Sequence, residues 1–154
     1  MVPGVSTRLT TPRLVNTLAV FGIAPFLIAL SLPESWSLTV FKLYSTAILC
    51  FLSGSWWSTA LVSTRHDAPN RWFVMLLSNL AVLLAVLLAW LDHSLTIPGL
   101  ATLYVLLLLG EQRLSVFSRQ PNYYQQMRQW VTGIVVLLHL FAWWTLNEAG
   151  TSWH

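Results

Sequence analysis

Charge is scarce in this sequence. Only 8% of its 154 residues are Asp, Glu, Lys or Arg, against about 25% in an ordinary soluble domain. So thin a polar coat cannot solvate a chain that is 56% hydrophobic, which excludes a water-soluble globule and leaves a polytopic membrane protein. The net charge of +3 is spread over several loops, without the basic face that nucleic acid would require. Cysteine is nearly missing too. With Cys50 alone there is no intrachain disulfide, no CxxC metal site and no c-type haem attachment. Cys50 itself reads as a small packing residue within a helix. The sequence contains no HExxH, GxSxG or P-loop motif, and no pair of carboxylates within an apolar run; each of those chemistries needs its residues at fixed spacing. Nor is there an internal repeat, which weighs against an inverted-repeat transporter.

What the chain does have is apolar runs. They predict one all-α domain over residues 1–154, an integral bundle of five transmembrane helices at about 14–32, 40–62, 72–91, 98–111 and 130–146. A polar loop, 112–129, separates the last two. The first run has Ala29-Leu30-Ser31 at its end, which imitates a signal-peptide cleavage site. The run is longer than the roughly 7–15 residues of a signal-peptide core, so it reads as a helix. Pro25 in its interior predicts a kink. The residues before it read as a cytoplasmic tail, with a transit-peptide fragment as the alternative. Leu32–Ser37 and Arg65–Arg71 read as turns, and Pro98 is well placed in a first helical turn.

Orientation follows from the basic residues. Arg8, Arg13, Arg65, Arg71, Arg113, Arg119 and Arg128 fall on one side of a five-span chain, and only Lys42 falls on the other. The positive-inside rule then puts the N-terminus inside and the C-terminus outside. Tryptophans and tyrosines near the run ends (Trp36, Trp72, Trp90, Tyr123, Tyr124, Trp130, Trp144) suit an interfacial belt. The membrane expected is the inner, cytoplasmic membrane of a bacterium, with the mitochondrial inner membrane as the alternative.

The second run is the expected organiser. Thr46, Cys50, Gly54 and Ser58 recur every fourth residue and form one shallow groove on a helix. Such a row lets another helix backbone approach closely. With Trp56 and Trp57 it is the expected helix-packing or partner interface. Asn79, in the third run, falls at the depth of Trp57 and Ser58 and is expected to bond one of them. Lys42 and Asp92 are expected to face each other at the outer boundary. The polar loop places Leu114, Phe117, Tyr124 and Met127 at the spacing of an amphipathic helix lying in the interface. Its Arg113, Arg119 and Arg128 are expected to face anionic lipid head groups or, as alternatives, to pair with Glu111 or dock a partner subunit. Glu111 as a proton-handling carboxylate is a further possibility. His139 lies eleven residues beyond Arg128, roughly 16 Å deeper at 1.5 Å per residue. An intramembrane histidine is a candidate ligand for haem or a quinone, or a proton relay. The competing reading is a neutral histidine satisfied by a neighbouring helix, with Ser53 or a backbone carbonyl as its partner.

Several short stretches also resemble a known family. Ile23-Ala24-Pro25-Phe26, Tyr44 with Ile48-Leu49-Cys50-Phe51-Leu52-Ser53-Gly54 and Trp57, and Tyr123-Tyr124 with Arg128 and Thr132 look like the small membrane proteins typified by transmembrane protein sixty-nine, found in bacteria and mitochondria. Where that family tends to read Gly-Gly-Val-His-Trp-Gly, this chain has Ser53-Gly54-Ser55-Trp56-Trp57-Ser58, so Trp56 stands at the histidine position. The resemblance implies a multi-span inner-membrane protein and implies no activity. The expectation is therefore a non-catalytic accessory or assembly subunit of a larger membrane complex, whose partners are other membrane subunits and anionic lipids. The alternatives are a membrane-embedded binder of quinone, haem or pigment, using His139 and the Trp56-Trp57 pair, or a small transporter or an enzyme working as an oligomer. No cofactor is predicted outright.

Overall fold

A computed structural model describes residues 10–62, 71–91, 94–118 and 120–148. These residues form five α-helices and no strand: α1 (Thr10–Ser31), α2 (Glu34–Val62), α3 (Arg71–Trp90), α4 (Thr96–Arg113) and α5 (Asn122–Glu148), with a single 3-10 turn at Ser115–Phe117. Three segments, Leu14–Ser31, Ser35–Val62 and Arg71–Trp90, are long and apolar enough to cross a membrane.

Two helices begin well ahead of the sequence pattern, α2 by six residues and α5 by eight, and the cause is the same in both. Pro33 accepts backbone bonds from Trp36 (2.9 Å) and Ser37 (3.0 Å); Pro121 accepts them from Tyr124 (2.9 Å) and Gln125 (3.2 Å). In the sequence Pro33 reads as part of a turn, and Pro121 lies inside the stretch that reads as a polar loop. Each in fact starts a helix, where its missing N–H costs nothing and its fixed φ helps. The expected interfacial helix over 112–129 is therefore absent as such. Its first part is the 3-10 turn, with Val116 and Phe117 buried, and its second part is the opening of α5.

α2 packs against α1, α3 and α4, and α5 packs against α1 and α4. The α2–α3 hairpin is closed by Arg71, whose Nε donates to the Ala60 carbonyl (2.9 Å) and one terminal nitrogen to that of Leu61 (3.2 Å). These are carbonyls of the last turn of α2, which no intrahelical donor reaches. Deeper in the hairpin the Ser78 hydroxyl donates to the Ser53 carbonyl at 2.6 Å. α4 turns Ile97, Leu100, Ala101, Tyr104 and Leu107 into the core. α3 leaves Trp72, Leu76, Leu83 and Trp90 exposed, as a helix facing lipid would.

Candidate functional site

Glu111 and Arg128 form a buried ion pair where α4 ends and α5 begins. Arg128 donates through Nε to one carboxylate oxygen and through Nη2 to the other, both at 3.0 Å, and each side chain is only 6% exposed. Trp56 of α2 donates its indole N–H to Glu111 Oε1 at 3.0 Å. The fork geometry is the strong form of a charge-assisted bond. Phe117, itself buried, lies against the indole at 5.0 Å between ring centres. Gly110 makes room for the indole, because a Cβ there would overlap the Trp56 ring.

A second polar cluster lies deeper. His139 is fully buried, with Nδ1 2.7 Å from the Val135 carbonyl and Nε2 2.8 Å from Ser45 Oγ. A carbonyl can only accept, so Nδ1 carries the proton and Nε2 accepts from Ser45. The Tyr104 hydroxyl donates to the Ser45 carbonyl at 3.0 Å, and the rings of Phe41, Tyr104 and Phe26 enclose the imidazole at 4.8–5.6 Å. Both nitrogens are committed within the chain.

Between α1, α2 and α5, with Tyr104 of α4 also on its wall, lies an open cavity of about 440 Å³. Most of its wall is apolar, including Leu18, Phe26, Ile48, Phe51 and Val131, but Arg128, Thr132 and Tyr124 also line it. Thr132 is 2% exposed, and its hydroxyl has no hydrogen-bond partner. In the first turn of α5, ahead of the apolar stretch, burial raises the Tyr124 phenol above its ordinary value, which keeps it a neutral donor.

A family profile covers residues 11–144, from the start of α1 to near the end of α5. The chain belongs to the family described as protein of unknown function DUF3429. No curated protein and no solved structure matches it. Family membership thus fixes kinship across all five helices and leaves function to the geometry.

That geometry corrects several expectations. Arg128 does not face lipid: α5 begins at Asn122, so it lies inside a helix and turns to Glu111. Of the other two loop arginines, Arg113 is exposed, and Arg119 lies outside the described residues. Trp56 is buried inside the chain's own bundle and is not available to a partner, whereas Trp57 is 43% exposed. Thr46 and Cys50 are half-buried; Gly54 and Ser58 are exposed, and a Cβ on Gly54 would meet nothing within 4 Å. Among the described residues, no helix fills that end of the groove. Asn79 is exposed, and Ser58 donates to Ser55 instead; the interhelical bond is made by the adjacent residue, Ser78. The partners of His139 are Ser45, two turns from Ser53, and a backbone carbonyl, that of Val135 on its own helix. The depth reckoning started at Arg128, which the structure places six residues into α5. The Lys42–Asp92 pairing falls on Asp92, outside the described residues.

The cavity itself was not legible from the sequence. Its lining comes from four helices, α1, α2 and α5 with Tyr104 of α4, and no single stretch carries a signal of it.

Proposed function

We propose that the protein is a non-catalytic, five-span inner-membrane protein that holds a small hydrophobic molecule in the cavity between α1, α2 and α5. The observation that carries this is the cavity together with Thr132 on its wall, whose buried hydroxyl has no partner among the described residues. A buried hydroxyl without a partner costs roughly 1–3 kcal/mol, and an acceptor on a bound molecule would relieve that cost at Thr132. The volume lies within the roughly 300–1,000 Å³ usual for ligand pockets. Gly22 also lines the cavity and has open space where a side chain would grow. Organic extraction and mass spectrometry of protein purified in mild detergent should find a hydrophobic molecule with the wild type that Gly22→Leu lacks. Equal content in both would remove the reading.

The five-span arrangement, with the N-terminus inside and the C-terminus outside, is supported by the helix ends. Arg71 at the end of α2 and Arg128 beside Trp56 gather basic residues at one end of the bundle, as the positive-inside rule requires. At about 1.5 Å per residue, the 18 residues of α4 reach roughly 27 Å, close to the thickness of a bilayer core. Kinship with the group typified by transmembrane protein sixty-nine is proposed on the same footing.

A second reading, an accessory or assembly subunit, is favoured by the bare outward surface at Gly54, Trp57 and Ser58. Its test is Gly54→Leu, which should strip the protein from a larger native complex. An unchanged complex mass would count against it.

A further inference from the structure

The cavity's polar corner specifies the kind of head group it receives; the argument rests on the binding role proposed above. Arg128 spends Nε and Nη2 on Glu111, and its remaining terminal nitrogen makes no hydrogen bond among the described residues. One turn further along α5, Thr132 lines the same cavity, and its buried hydroxyl has no hydrogen-bond partner among the described residues. Both groups offer N–H or O–H donors. The charge beneath them is already balanced, because Glu111 neutralises Arg128 within one ion pair. An anionic head would add an uncompensated charge in a low-dielectric site, and a cationic head would meet the guanidinium. A neutral acceptor is what remains. Water does not suit the rest of the cavity, since an ordered water needs two to four polar partners and the remaining wall is largely apolar.

We propose that the cavity takes a neutral, carbonyl-headed hydrophobic molecule, its carbonyl oxygen accepting from Thr132 and the free edge of Arg128 and its tail lying against Leu18, Phe26 and Val131. A quinone ring and a lipid ester share this chemistry.

The test uses the full chain in nanodiscs of ether-linked phosphatidylcholine, which carry no carbonyl. The probes are a decyl-substituted benzoquinone and, as its carbonyl-free control, decylbenzene. Thr132→Val keeps the side-chain shape, and removing an unbonded buried hydroxyl should hold or raise the thermal midpoint in these discs. Wild type should bind the quinone saturably. Thr132→Val should bind about tenfold more weakly, the size of one lost hydrogen bond, Thr132→Ser should bind like wild type, and Gly22→Leu should not bind. In discs of ester-linked lipid, loss of quinone binding by wild type, with retention by Thr132→Val, would identify the lipid ester as the carbonyl source. Persistent quinone binding would identify the quinone. If Gly22→Leu abolishes binding but Thr132→Val does not weaken it, or if decylbenzene binds as well as the quinone, the head-group inference is overturned while the cavity's binding role stands. Absence of saturable binding, or binding indifferent to Gly22→Leu, overturns both.

Discussion

Glu111 and Arg128 show how one residue's environment can reverse a surface interpretation. In the sequence both belong to a polar stretch with several arginines, and solvation is the default for such a stretch. In the structure each is removed from solvent and justified by the other, with the Trp56 indole occupying a further acceptor position. Removing one member should be severe. Arg128→Met leaves a buried carboxylate alone, which costs about 3–5 kcal/mol, whereas replacing both charges can be close to neutral. Thermal unfolding in detergent should therefore show a large loss for Arg128→Met and a substantial recovery for Arg128→Met combined with Glu111→Gln. The glutamine oxygen can still accept from Trp56. Strictly additive losses would mean the pair is not the unit described. His139 is the opposite case. The reading of a neutral, satisfied core histidine was available from the sequence, but the identity of its partner was not, because depth counted from a misplaced helix end carries that error along.

At the scale of helices, composition was a good guide to where the apolar middles lie and a poor one to where helices start. α1, α3 and α4 lie within a few residues of expectation. α2 and α5 do not, because Pro33 and Pro121 punctuate the sequence in the same way whether a chain is turning or a helix is beginning. The polar opening of α5, with Gln125, Gln126 and Gln129, hid a helix whose inner face is held by Arg128, Thr132, Val135, His139 and Ala142, all buried and spaced at three or four residues. The small-residue row on α2 was legible as a row, but only the fold shows that its Gly54 end faces outward. Contacts contributed by several helices at once, such as the cavity wall, have no local sequence signature at all.

For the whole molecule, the alternation of five spans makes a prediction about sidedness. Leu95, between α3 and α4, and Ser118, between α4 and α5, are both exposed. In a Cys50→Ala background, an impermeant maleimide added to intact cells should label Leu95→Cys and spare Ser118→Cys. Labelling of both from one side would refute the five-span arrangement. The buried ion pair also bears on how the chain enters the bilayer. α4 carries a buried carboxylate in its last turn, and among the described residues its ion-pair partner comes from α5, so neither helix alone presents a complete segment to the insertion machinery. Biogenesis should treat α4 and α5 as a single hairpin cargo, committed only after Arg128 has left the ribosome. Chains truncated after Ser118 should integrate α4 less efficiently than chains extended to Glu148, and equal integration would show that α4 enters without its partner.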